Sequence, residues 1–301
     1  MKQTVADVLV IGAGPAGLAA ASAAREAGAK RVLIVERLPY PGGILPQCIH
    51  DGFGVEIIKQ SLTGPEYADR YIKRAEKHGV ELWLSSSVAR LAPDKTVLVV
   101  SKKALVQVTA KAVVMSMGCR ERTRWNVLIP GTKPAGIYTA GVAQASVNLY
   151  DRIVGKNVII LGSGDVGLIM ARRLTLEGAK VLAVVEKMPY PGGLSRNVQQ
   201  CLHDFGIPLY LSHTVSKIHG WKRLEGVTVA PVGPRGGEKK GRFIACDSLL
   251  LSVGLIPENE LSKEIGIGID RMTGGPLVDE EGHTTVPGFF ACGNALHVHD
   301  L

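Results

Sequence analysis

This 301-residue chain carries one block twice. "VERLPYPGGILPQ" at Val35–Gln47 returns as "VEKMPYPGGLSRN" at Val185–Asn197, with Glu36 and Glu186 150 residues apart. The same offset relates Gly12, Gly14 and Gly17 to Gly162, Gly164 and Gly167. Each block is an apolar β-branched run, a G-x-G-x-x-G turn, a helical stretch ending Gly-Ala-Lys, and a second apolar run that closes on the acid. That order predicts β-α-β twice, and an internal repeat of this kind decides the architecture.

The pattern has a chemical reason. The first glycine permits the strand-to-helix turn, the second lets a pyrophosphate approach the backbone, and the third lets helix and strand pack closely. Unpaired N–H groups and the helix dipole then favour the pyrophosphate at the helix N-terminus. The acid, 24 residues after the first glycine in both copies, reaches a ribose diol. A single G-x-G-x-x-G is a weak signal. Two copies, each with strand, helix and acid in place, set aside the reading of two ordinary glycine-rich turns. The chain is therefore expected to bind two dinucleotides. The first copy supplies Gly12, Ala13, Gly14, Pro15, Ala16, Gly17, Glu36, Arg37, Gly42, Gly43 and Ile44. The second supplies Gly162, Ser163, Gly164, Asp165, Val166, Gly167, Glu186 and Lys187.

The repeat continues at changed offsets. "HGVELWLSSSVARL" (His78–Leu91) resembles "FGIPLYLSHTVSKI" 127 residues later, and "AVVMSMG" (Ala112–Gly118) resembles "SLLLSVG" 136 later. These stretches add Val88, Met117 and Gly118 to the first site and Val253 and Gly254 to the second. The first copy carries about two dozen extra residues between Gly43 and Gly79. A rival match of "QCIHDGFG" at Gln47 with "QCLHDFG" at Gln200 is rejected. The second is expected in a helix before a strand, the first in the extra loop.

With 46% hydrophobic and 21% charged residues, the chain can bury two ordinary cores. The apolar stretch Val8–Ala24 is broken by three Gly and a Pro, so a nucleotide fold explains it and a transmembrane segment is not expected. No leader is expected before the first strand, and a cytoplasmic location is expected. The net charge of +8 is spread along the chain, and its densest cluster, "RERTR" at Arg120–Arg124, lacks interleaved aromatics. Nucleic acid is therefore not the expected partner; polyanionic dinucleotides or an acidic partner fit better. Cys48, Cys119, Cys201, Cys246 and Cys292 form no CxxC or zinc spacing, and "HVH" at His297–His299 has no partner ligands, so no metal is expected.

The two-site pattern resembles the two-dinucleotide-domain flavoprotein oxidoreductases, the superfamily that includes thioredoxin and glutathione reductases. "VVMSMGCRER", "IPG" at Ile129–Gly131 and "TTVPGFFACGNA" at Thr284–Ala295 match its linking and closing motifs. The resemblance implies an α/β fold with two Rossmann-like domains, the NAD domain inserted into the FAD domain. It assigns FAD to the first site, completed by Gly293 and Asn294, and NAD(H), rather than NADP, to the second. Asn294 stands where the family usually has an acid. The implied boundaries are residues 1–118 plus 255–301 for FAD, 119–152 as linker and 153–254 for NAD(P).

Within that superfamily, "PAGIYTAGVAQASVNLY" (Pro134–Tyr150) is most similar to certain flavin subunits. They belong to hydrogen cyanide synthase, opine oxidase, dye-linked proline dehydrogenase and sarcosine oxidase. Flavoproteins associated with glycerol-3-phosphate dehydrogenases are similar too. The redox cysteine pair of the disulfide reductases has no counterpart: the first loop offers Cys48 alone, and the second-domain position reads Thr139-Ala-Gly-Val-Ala143. Cys48 and His50, in the extra loop, are the candidate reacting side chains. A cysteine there could stabilise a charge-transfer flavin or form a sulfenic acid, and a histidine could relay protons. The favoured alternative makes Cys48 buried filler and His50 a loop residue.

Three functions follow from the resemblance. They are an NADH:acceptor oxidoreductase, the flavin subunit of an amine, amino-acid or glycerol-3-phosphate dehydrogenase complex, and a non-catalytic nucleotide-binding module. In the family the closing motif leads into a helix, whereas here the sequence stops seven residues after Asn294. A truncated chain, or a second dehydrogenase subunit or electron-acceptor protein covering that surface, is therefore expected. So are weaker FAD binding and homo- or hetero-oligomers.

Overall fold

The structure is a computed structural model that describes residues 2–233 and 240–298. The chain divides into two compact units, one formed by Met1–Arg120 with Ile256–Leu301 and the other by Glu121–Leu255.

The first unit opens with strand β1 (Lys2–Ile11), helix α1 (Pro15–Glu26) and strand β2 (Val32–Val35). Helix α2 (Gly64–Lys77), strand β3 (Glu81–Trp83), and the strands β4 (Ser86–Leu91), β5 (Thr96–Ser101) and β6 (Leu105–Met115) follow. The sheet runs β3-β2-β1-β6-β5-β4. It is parallel from β3 to β6 and antiparallel through β5 and β4. Alternation along its strands splits the core between the two faces. Leu9, Ile11, Leu33 and Val35 enter one cluster, and Val10, Val32 and Ile34 enter another with Leu18 and Ala21 of α1. The extra residues of the first copy form a loop before α2, closed by the Phe53–Leu62 bridge. Thr63 and Glu66 then start α2 with a reciprocal capping box.

The chain crosses over through β7 (Cys119–Glu121). The second unit contains β8 (Ile137–Thr139), α3 (Ala140–Tyr150), β9 (Asn157–Leu161), α4 (Asp165–Leu176), β10 (Lys180–Val185) and α5 (Ser195–Cys201). Then come β11 (Leu209–Tyr210), β12 (His213–His219), β13 (Gly226–Pro231), β14 (Arg242–Ala245) and β15 (Ser248–Leu251). A parallel sheet in the order β11-β10-β9-β15-β8 is accompanied by the antiparallel β12-β13-β14. Alternation sorts its core the same way: Val158, Ile160 and Val184 join α4 residues, whereas Ile159, Leu161, Ala183 and Val185 join β12 and β13. The chain returns through β16 (Leu255–Pro257), α6 (Glu260–Glu264) and β17 (Phe289–Ala291), the last pairing in parallel with β6.

The structure bears on three expectations. The 119–152 stretch is no free linker: its β8 forms the edge of the second sheet and α3 packs beside it, because Ile137, Ala143 and Val147 are apolar enough to join that core. Gln200 lies in α5, but His203–Phe205 form a separate 3-10 turn ended by Gly206, whereas Gln47 ends a 3-10 turn before α2. The similar words therefore stand at different places relative to the helix. The closing motif forms a 3-10 turn, Gly293–Ala295, while the expected chain end and His299 lie outside the described residues.

Candidate functional site

Both glycine turns are closed by the same contacts. Gly12 has φ +106° and Gly162 φ +98°, a region that L side chains rarely adopt. A Cβ on Gly12 would lie 2.5 Å from the Ser116 carbonyl oxygen, and one on Gly162 would overlap that of Ser252. A Cβ on Gly17 would overlap the Gly12 carbonyl oxygen; on Gly167 it would meet Ser252 Cβ at 2.8 Å and the Gly162 oxygen at 2.9 Å. The middle glycine differs in kind. Nothing lies within 4 Å of a Cβ on Gly14, and the nearest atom to one on Gly164 is Ser252 Oγ at 3.5 Å. That open space is what a pyrophosphate at the N-termini of α1 and α4 requires.

Ser116 and Ser252 act as clasps. Ser116 Oγ donates to the carbonyls of Ile11 (2.9 Å) and Gly12 (3.1 Å), and Ser252 Oγ accepts from Gly167 N at 3.1 Å. Sequence reasoning passed over both, although they occupy one position in the "VVMSMG" and "LLLSVG" repeats.

The two acids are held by matching donors. Glu36 is 6% exposed; Ala13 N donates to its Oε2 and Leu38 N to its Oε1, each at 2.8 Å. Glu186 Oε2 accepts from Ser163 N at 2.9 Å and Oε1 from Met188 N at 2.8 Å. It receives a third bond, from Ser163 Oγ at 2.6 Å. These backbone donors fix each carboxylate at the end of its strand, where a ribose diol can meet it. The repeated Pro-Gly-Gly has a matching purpose, folding back onto the turn. Gly42 N donates to Ala13 O at 2.8 Å, and Gly193 N to Ser163 O at 2.8 Å.

A cavity of about 380 Å³ beside the first turn is lined by Gly12, Glu36, Arg37, Val88 and Met117, with Ser86, Ser87, Glu258, Glu260 and Leu261 among the rest. The second unit holds one of about 600 Å³ lined by Gly162, Glu186, Lys187 and Val253, together with Met188, Thr214, Val215, Val232, Ser252 and the loop 126–130. The repeat offsets map Val88 onto Val215 and Met117 onto Val253. Equivalent positions of the repeat thus line each cavity.

Other predicted residues border the turns. Ala13, Gly14, Pro15 and Ala16 carry the chain from β1 into α1, and Ser163, Gly164 and Val166 from β9 into α4. A Cβ on Gly43 would lie 3.0 Å from Gly14 Cα, and Gly42 faces Pro46 and Ala68. Ile44 is exposed. Gly118 O accepts from Glu258 N at 2.9 Å, and Gly254 O accepts from Arg122 N at 2.9 Å. Gly293 packs against Ala16, and Asn294 Nδ2 lies 3.6 Å from Cys119 Sγ. Asp165 Oδ1 accepts from Leu194 N (2.9 Å) and Asn197 Nδ2 (2.6 Å), so it ties α4 to the α5 segment.

Cys48 and His50 have different surroundings. Cys48 is buried, and desolvation pushes its thiol up to about 12, so it is protonated at neutral pH. His50 Nδ1 contacts the Asp51 carbonyl at 3.1 Å, and its ring lies 5.1 Å from that of Phe53. No disulfide and no cluster of three metal-ligating side chains occurs among the described residues. No described helix is long and apolar enough to cross a membrane.

Residues 6–299 match the family described as pyridine nucleotide-disulphide oxidoreductase. The chain belongs to that family. That family is one of oxidoreductases that bind FAD and a pyridine nucleotide. An opine oxidase subunit from Agrobacterium tumefaciens is 27% identical over 97% of this chain and 61% of its own length. The HcnB subunit of hydrogen cyanide synthase from Pseudomonas protegens is 26% identical over 86% of the chain and 58% of its own length. The chain thus spans about three-fifths of these relatives. In fold it is similar to T. acidophilum thioredoxin reductase, with a TM-score of 0.78 at 24% identity, covering 98% of this chain and 91% of that one.

Proposed function

We propose that the first cavity takes FAD, the second takes NAD(H), and the family member moves a hydride between them and passes electrons to an acceptor or partner subunit. The observation carrying this reading is the paired set of carboxylates, Glu36 and Glu186, each held by corresponding backbone donors beside an open glycine turn. When bound, the two cofactors supply hydride exchange between nicotinamide C4 and flavin N5. The chain supplies position. Glu36 and Glu186 receive the ribose diols, and the N-termini of α1 and α4 receive the pyrophosphates. Gly293, packed beside Ala16, and Asn294, beside Cys119, complete the flavin side. Cys48, protonated and buried, takes no nucleophilic part.

A second reading has its own support. Relatives that extend well beyond the matched region are named as subunits, which favours a flavin subunit working with a substrate-oxidising partner. Anaerobic titration of the FAD-loaded protein with NADH, followed by an acceptor screen, tests the proposal. Bleaching of the flavin absorbance by about one equivalent is expected. Flavin that stays oxidised at saturating NADH sinks the proposal and leaves a nucleotide-binding module.

A further inference from the structure

The second cavity has a wall that the first does not share: the loop 126–130, all five of whose residues line it together with Glu186 and Lys187. This loop is anchored at both ends. Thr123 N and Oγ1 donate to Asn126 Oδ1 at 2.8 and 3.1 Å. Ile129 N donates to the Arg124 carbonyl at 3.1 Å, and Arg124 Nη2 returns a bond to Ile129 O at 2.9 Å. Arg124 also donates to the carbonyls of Thr132 and Gly131. Its guanidinium, on a side chain 7% exposed, thus gathers the carbonyls of one short loop.

Between these anchors Leu128 has φ +54° and is 79% exposed. A bulky apolar residue adopts the left-handed region only where its surroundings over-determine it, and such outliers cluster at ligand clamps. Here the strained residue lines a cavity, beside Val127 and Pro130. Met188, Val215 and Val253 line the same cavity. Apolar surface next to a ribose-binding carboxylate suits a flat, uncharged aromatic base. The loop adds no cation, so among the described lining residues a 2′-phosphate would find Lys187 alone.

We propose that loop 126–130 is an adenine clamp: Leu128 packs on the adenine of NAD(H) and sets specificity for the adenylate half, with Arg124 as its positioning residue. The proposal rests on reading the second cavity as the NAD(H) site. The test compares NADH with reduced nicotinamide mononucleotide, which lacks the adenylate half, in anaerobic titrations of the FAD-loaded full chain. Leu128→Gly removes the side chain and relieves the left-handed strain, so folding is not at risk. Leu128→Asn also tolerates this backbone and controls for the flexibility of glycine. Both variants are expected to raise the Kd for NADH at least fivefold and to leave that for the mononucleotide within twofold of the parent. Unchanged NADH affinity, or equal weakening of both nucleotides, overturns the clamp alone. A parent chain that neither binds NADH nor is bleached by it overturns the reading of the site and the clamp with it.

Discussion

Ala13, Pro15 and Ala16 of the first turn correspond to Ser163, Asp165 and Val166 in the second. Helix α1 has no acidic residue in its first turn, whereas α4 begins with Asp165. A carboxylate there is favourable for the helix dipole but partly cancels its positive end and repels an incoming pyrophosphate. Glu36 is buried beneath its cavity; Glu186 is half-buried and shares a lone pair with Ser163 Oγ. The walls differ as well. In the first cavity Glu258 and Glu260 are ion-paired to Arg120, each at 2.8 Å; in the second an apolar loop takes their place. One β-α-β scaffold can thus be tuned for a retained cofactor or for one that must leave each turnover. On the proposed assignment, the tighter site is the flavin site.

The largest test of this contrast lies in the third glycines. Gly17→Ala drives a methyl into the Gly12 carbonyl and should cost about 3 kcal/mol or more of stability, along with cofactor. Gly167→Ala meets longer contacts and should cost less, about 1–3 kcal/mol. Denaturant unfolding of both variants measures the difference, and equal losses would break it.

Coenzyme choice is next in size. A 2′-phosphate beside Glu186 sets like charges together at a cost on the order of 1–3 kcal/mol, so kcat/KM should favour NADH over NADPH. Preference for NADPH in steady-state kinetics would contradict this.

Asp165→Asn probes a smaller effect. The amide oxygen can keep the bonds from Leu194 and Asn197 while the charge disappears. NADH should bind tighter by about 0.3–1 kcal/mol, with flavin content unchanged. Weaker binding would show that the carboxylate serves the nucleotide directly.

The smallest effect is expected at the thiols. Cys48→Ser or Cys119→Ser should leave flavin reduction by NADH within about tenfold of the parent, roughly 1.4 kcal/mol in barrier. The buried thiols also predict a pH trend. The folded pKa of Cys48 and of Cys246 rises from 9.0 to about 12 through burial, so the unfolded chain loses these protons first. Stability should be full below pH 9 and fall as pH climbs towards 12. Replacing Cys48 by Ala should flatten that fall, as alkaline thermal melts can check.

Much of this was legible because it is local. The glycines, acids and Pro-Gly-Gly loops fold onto one another within each β-α-β unit, so spacing alone predicts their meeting. Leu128 and the wall around it were missed because Asn126–Pro130 reaches the second cavity from a stretch read as linker. Glu258 and Glu260 reach theirs from beyond the second crossing. Asp165 sat in the right motif, but its carboxylate is engaged by Leu194 and Asn197, which periodicity does not reveal. The clasps Ser116 and Ser252 could have been found by carrying the 136-residue offset through residue by residue.

The central claim is that one scaffold, used twice, holds two different nucleotides. It is tested most directly by measuring flavin content and NADH bleaching in Gly14→Val and Gly164→Val side by side. Each valine fills the space left open above its own turn. The account predicts a colourless Gly14→Val, and a yellow Gly164→Val whose flavin resists NADH. A fully yellow Gly14→Val, or a Gly164→Val that bleaches like the parent, would contradict it.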